Sequence, residues 1–300
     1  MKRFLQQLGL FVIFLGISST TYFYAFLYPH KKIDRVGNET YISLAKAANV
    51  PPKVKTLILG DSTGNQIYPN TEYNSKVFPL CCNQAISMVG QYILLHEFLQ
   101  THPRPNALNV LLIARPSSFR NNLDQRFVYN YFIKPFYREE YQHLLTAQTR
   151  AQIRKIPFRD LVRIPFIRKS NWSPNLNYEH RPHYFHISEL SVDYIHKMQQ
   201  LCQKKNVKSF KIRCTFLSKE FPPEQFSGFK KQIIELGLDQ ELSGYFETLK
   251  YYEKEHFMKD KVHLWDPDIM DIDFLSGNER QNGVNKQFEN TSDRLKSSSL

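Results

Sequence analysis

The chain opens on an apolar stretch and then changes rhythm. Across residues 4–28 (FLQQLGLFVIFLGISSTTYFYAFLY) no side chain is charged. As a helix the stretch would span about 37 Å at ~1.5 Å per residue, more than the roughly 30 Å of a hydrocarbon core. Tyr22, Tyr24 and Tyr28 suit the interfacial belt. Its bulky end offers no small-x-small cleavage site, so an uncleaved single-pass anchor is expected rather than a removable signal. Lys2 and Arg3 face Lys31, Lys32 and Arg35 across it, so charge leaves the orientation open. Beyond it, residues 54–59, 77–82, 108–114 and 207–217 form short apolar runs of the kind that make buried strands. Residues 87–100, 192–205 and 223–236 space their apolar members by three and four, as helices do. This alternation predicts an α/β fold, a parallel sheet flanked by helices and preceded by one N-terminal transmembrane helix. The expected order is a short tail (1–3), the anchor (4–28), a linker with a short helix (29–53), and an α/β domain (54–295). A last helix is expected over 286–295.

Charge sharpens this picture. Lys and Arg number 40 against 28 Asp and Glu, a net +12, while an apolar fraction of 42 % excludes a disordered chain. Residues 115–190 hold 13 cations and six acids, interleaved with aromatics such as Phe127, Tyr129, Tyr131 and Phe132. They break the strand–helix rhythm and read as a basic aromatic insertion bordering the C-terminal ends of the strands. A solvated basic face without a ligand is the plainer alternative. A tethered basic domain meets lipid head groups or envelope polyanions; no zinc spacing, ribonucleoprotein motif or basic heptad points to nucleic acid. Four cysteines are too few for a disulfide-built scaffold. Cys81 and Cys82 read as core thiols, whereas Cys202 and Cys214 could bridge in an exported domain. His180, His183 and His186 are spaced by threes, but Pro182 interrupts them and no carboxylate completes a zinc pattern, so no metal and no cofactor are expected.

Two local motifs carry candidate chemistry. Gly60-Asp61-Ser62 follows the first strand, and a parallel strand delivers its C-terminal end to the crevice where such sheets bind ligands. Glycine permits the sharp turn, and Ser62 is then presented with its N–H near a helix start, where an oxyanion can be held. Far downstream stands Asp260-Lys261-Val262-His263. Serine needs a base to take its proton, and the imidazole needs a carboxylate to hold its tautomer. Asp and His at i and i+3 can meet over one turn, leaving Nε2 facing out. Each motif alone is also ordinary loop chemistry.

Together these residues resemble the SGNH (GDSL-type) hydrolase family. The match lies in Leu57-Ile58-Leu59-Gly60-Asp61-Ser62 and in Asp260-x-x-His263-Leu264, with Asn83-Gln84-Ala85-Ile86-Ser87-Met88-Val89-Gly90 similar to the second block. Arg115-Pro116-Ser117-Ser118 stands where the third block belongs. The resemblance covers roughly residues 52–295 and implies a flavodoxin-like sandwich with Ser62, His263 and Asp260 as nucleophile, base and orienting acid. It implies oxyanion donors at the Ser62 and Met88 backbones and at Asn83. Two departures stand out: Ala85 and Met88 replace common glycines, and the third-block Asn is missing, with Asn83, Asn121 and Asn122 as substitutes. Losing a side-chain oxyanion donor costs about 3 kcal/mol of transition-state stabilisation.

The resemblance extends to divergent, membrane-anchored members that work in polysaccharide O-acetylation or D-alanyl transfer. It implies a serine esterase or acyltransferase acting on acyl groups of a cell-envelope glycan, with its domain periplasmic or extracellular. Arg115 and Arg120 would bind the anionic glycan, and the partners would be the bilayer and other envelope acyl-transfer proteins. The alternative is a catalytically impaired SGNH-fold envelope protein that binds an anionic glycan or partner subunits. A third possibility is a basic membrane scaffold of unrelated fold, which would leave the two motifs far apart.

Overall fold

The computed structural model of the chain describes residues 2–22, 37–71, 76–161, 186–221 and 223–267. The end of the expected anchor (23–28), most of the histidine-rich segment and the closing helix at 286–295 lie outside them. Helix α1 (Lys2–Tyr22) has no buried residue, and its 21 residues give a length of about 31 Å, that of a hydrocarbon core. It is long and apolar enough to cross a membrane.

The domain begins with α2 (Asn38–Ala47) inside the stretch read as a linker. Gly37 precedes it at φ 86°, a left-handed conformation, where a Cβ would lie 2.6 Å from the Asn130 carbonyl oxygen. The helix is no loose connector: Thr40, Ser43 and Ala47 are fully buried.

Four strands then form a parallel sheet in the order β2-β1-β3-β4: β1 (Thr56–Gly60), β2 (Val77–Pro79), β3 (Asn109–Ile113) and β4 (Ser209–Arg213). Central strands in such a sheet are covered on both faces, which explains why β1 is buried at every position. Alternate side chains take opposite sides. Leu57, Leu59, Val110, Leu112 and Ile212 join the main core; Ile58, Leu111 and Ile113 form a smaller cluster with Val77 and Cys81. Short α3 (Ser62–Ile67) leads from β1 toward β2 and places Ile67 against the smaller cluster. On the main-core side α4 (Ser87–Thr101) packs between α2 and α7 (Glu189–Lys204).

The insertion between β3 and α7 carries two short pieces, α5 (Lys134–Phe136) and α6 (Ala147–Lys155), with tighter turns between them. Tyr129, Phe132 and Phe136 belong to the main core, so these aromatics pack the domain. The Tyr194 hydroxyl on α7 receives hydrogen bonds from Thr146 N–H (3.1 Å) and Thr149 Oγ1 (2.9 Å), docking α6.

The expected strand at 207–217 divides into β4 and β5 (Phe216–Ser218). Beyond Ile113 the β3 ladder runs out at Pro116, and the chain changes partner: Cys214 N–H bonds Tyr245 O (2.8 Å). Helix α8 (Pro223–Glu235) follows, and β5 pairs in parallel with β6 (Lys250–Tyr252).

Candidate active site

Between β2 on one side and β3 on the other, β1 ends at the point where the strand order reverses. Open parallel sheets bind ligands at such a switch point. Gly60 has no room for a side chain there, since a Cβ would lie 2.6 Å from the Ile113 carbonyl oxygen and 3.1 Å from Cys81 Sγ. Its own carbonyl accepts from Cys82 N–H (2.9 Å) and from Gln91 Nε2 (2.7 Å).

Asp61 is buried and caps α3. Oδ1 accepts from Thr63 N–H (2.8 Å), Gly64 N–H (3.2 Å) and the Thr63 hydroxyl (2.6 Å). Oδ2 accepts from Arg115 N–H (3.0 Å) and the Ser118 hydroxyl (2.5 Å). One carboxylate thus ties the helix start to the end of β3. Ser62 is the first residue of α3 and is half-buried.

Asp260 and His263 lie in a hairpin closed by an antiparallel bridge between Phe257 and Leu264. Met258 N–H bonds His263 O (2.7 Å) and Trp265 N–H bonds His256 O (2.9 Å). Asp260 Oδ1 accepts from Val262 N–H (2.9 Å) and His263 N–H (3.0 Å), while Oδ2 lies 2.6 Å from His263 Nδ1. A proton on Nδ1 faces that carboxylate and leaves Nε2 as the acceptor. Burial alone would raise the Asp260 carboxyl; the hydrogen bonds from His263 and the Val262 N–H, with the imidazole charge, outweigh it and hold the carboxyl below its ordinary value.

The two motifs converge through Gln66. Its Nε2 donates to Leu264 O (2.9 Å) and its Oε1 accepts from Leu264 N–H (3.1 Å). Gln66 is four residues past Ser62, on the same side of α3. Arg115 Nη1 holds Val262 O (3.0 Å), and the Leu264 side chain packs with Phe216 and Phe257 against Ile67. No hydrogen bond joins the Ser62 hydroxyl to His263 among the described residues.

The remaining expected residues lie around the start of α4 and just beyond β3. Met88 is buried at the start of α4, after Ser87 at φ 56° and ψ 179°, a backbone region sparsely used by residues with a side chain. Asn83 Oδ1 caps Ala85 N–H (2.9 Å). Asn121 Nδ2 donates to Gln84 O (2.7 Å), so its amide braces the Ser87 turn. Arg115 and Arg120, expected to bind an anionic glycan, are only 3 % and 4 % exposed, and Arg115 braces the hairpin through Val262 O. Arg120 lies near Asp124 and His186: burial raises the Asp124 carboxyl against the pull of the Arg120 charge, and burial lowers the His186 imidazole with that charge adding to it. Cys202 and Cys214 are buried free thiols, without the bridge considered for them. Among the described residues no group of three or more His, Cys, Asp or Glu could hold a metal ion.

Glu39 on α2 escaped the sequence reading, hidden in a presumed linker. Burial raises its carboxyl, while a hydrogen bond from Asn83 N–H and the charge of His263 pull it down. Its backbone carbonyl accepts from Asn70 Nδ2 (3.0 Å). The one available signal was the helix-forming pattern of residues 38–47.

The fold and site define a parallel α/β domain in which the helix that Ser62 begins and the hairpin of Asp260 and His263 are joined through Gln66. No family model, curated protein or solved structure matches the chain.

Proposed function

We propose that the chain is a membrane-anchored serine esterase or acyltransferase of the SGNH type, acting on acyl groups of a cell-envelope glycan. The grip of Gln66 on Leu264 carries this reading, because it fixes the Asp260 and His263 hairpin to the helix that Ser62 begins. With β4 and β5 counted as one interrupted strand and β6 beyond it, the order also agrees with a flavodoxin-like sheet. In this reading α1 is the single-pass anchor, the domain is periplasmic or extracellular, and its partners are the bilayer, an anionic glycan and other envelope acyl-transfer proteins.

His263 Nε2 takes the Ser62 proton as Oγ bonds the acyl carbon. The tetrahedral intermediate collapses, the donor C–O bond breaks, and the leaving alcohol takes the proton from His263. An acceptor hydroxyl, or water, then attacks the acyl-serine and gives its proton to His263. That proton returns to Ser62 as its ester bond breaks. Asp260 holds the ring and stabilises its cation, while the Ser62 and Met88 backbone N–H groups face the oxyanion.

A fluorophosphonate probe tests the reading: wild-type protein takes the label, and Ser62→Ala and His263→Ala do not. The second reading, an impaired SGNH-fold protein that binds glycan or partner subunits, is favoured by Asn121, one of the candidate third-block substitutes, whose amide is drawn to Gln84 O. Absence of label on wild type, with a control hydrolase labelled, selects it.

A further inference from the structure

The parallel strands give the domain two distinct ends, and the N-terminal segment joins it at only one of them. Gly60 and Ile113 end their strands beside Ser62 and Arg115, and Arg115 reaches the His263 hairpin. Helix α2 starts at this same end. Gly37 packs against the Asn130 backbone, and the Glu39 carbonyl accepts from Asn70 Nδ2 and lies 3.9 Å from Cys82 Sγ, at the entry to the second-block loop. From there α2 runs away from the cleft, and Ala47 O accepts from Thr101 Oγ1 (2.9 Å) at the far end of α4. The end of α7, at Lys204, also lies at that far end, because Lys208 N–H bonds Leu108 O where β3 and β4 begin.

Only residues 23–36 separate α1 from Gly37. Fully extended they reach about 50 Å. Lys31, Lys32 and Arg35 among them attract anionic head groups and favour a shorter separation. The tether therefore pulls on the rim of the cleft and not on the back of the domain.

We infer that the end carrying Ser62 and His263 faces the bilayer, and that the cleft takes its acyl group from a lipid-borne donor. The donor assignment rests on the acyl-serine reading; the orientation does not.

Two measurements on the full chain in anionic vesicles test this. Lys259→Cys, exposed on the hairpin, and Lys204→Cys, exposed at the far end, are each labelled with a donor dye, and acceptor dye is carried on lipid head groups. Energy transfer at least twofold stronger from position 259 is expected; equal or reversed transfer overturns the orientation. The second measurement compares a long-chain umbelliferyl ester embedded in the vesicles with a short-chain soluble one, before and after cleavage at a protease site inserted between Arg35 and Val36. Release of the domain is expected to cut turnover of the embedded ester at least tenfold and that of the soluble ester less than twofold. Unchanged turnover of the embedded ester, or equal loss of both, overturns the lipid-borne donor. Turnover of neither ester, with no fluorophosphonate label, removes the acyl-serine reading and the donor with it, while the dye pair still decides the orientation.

Discussion

Asp61 shows how one side chain can set a site without doing chemistry there. A carboxylate that is 4 % exposed and accepts from two backbone N–H groups of α3, one of β3's extension and two hydroxyls is satisfied from every side. Asp61→Ala removes the cap and strands buried donors, so a loss of about 2–4 kcal/mol is expected in urea denaturation. Asp260 is a different case, held below its ordinary 3.8 by the hydrogen bonds of its own hairpin despite burial. A depressed folded pKa means stabilisation that is complete above the unfolded value and lost as pH falls through the folded one. The hairpin should therefore keep its Val262 and His263 amide protection at pH 5 and lose it below pH ~3.8, as read by hydrogen exchange. Asp260→Asn should lose this pH step. The Asp-x-x-His spacing made the pairing of these two residues legible, because both partners lie within one turn of chain.

At the scale of elements the site is a meeting of α3 with a hairpin that follows β6. Two hydrogen bonds from Gln66 and an apolar contact beneath Leu264 hold them together. Gln66→Ala should cost little global stability, about 1–2 kcal/mol, since each net hydrogen bond contributes ~1 kcal/mol. It should slow fluorophosphonate labelling of Ser62 about tenfold or more, because small misplacements of reacting groups are costly. An unchanged labelling rate would show that the hairpin is positioned by Leu264 and Arg115 alone. Nothing in the local sequence marked Gln66, which is an ordinary polar residue in a short helix. The same blindness affected α2: its polar buried face, Thr40 and Ser43, looks solvated until Asn70 is seen bonding Ser43 Oγ at 3.0 Å.

For the whole molecule, the sheet and its helices enclose all four cysteines as free thiols. Burial pushes Cys82, Cys202 and Cys214 up to about 12, and Cys81 well above its ordinary value. The native protein should take no maleimide at pH 8, whereas the denatured chain takes four; a fast-reacting native thiol would contradict this enclosure. The sign of the linkage is also set: thiols that ionise more easily when unfolded draw the chain toward unfolding as pH rises past 9 toward about 12. The same enclosure accounts for the aromatics of the basic insertion. The sequence shows them only as aromatics interleaved with cations, yet Tyr129, Phe132 and Phe136 are fully buried in the main core.

The sequence by itself determined what depends on neighbours along the chain. The apolar N-terminal helix, most strand and helix segments and the pairing of Asp260 with His263 follow from local spacing. The tertiary structure alone decided which distant groups meet. It placed Gln66 on Leu264, Glu39 beside Asn83, Arg115 inside the hairpin, and the partner of β4 on a different strand from that of β5. Periodicity and capping are properties of a few consecutive residues, whereas burial and partner choice depend on the packing of the whole sheet, where every contact competes with all the others.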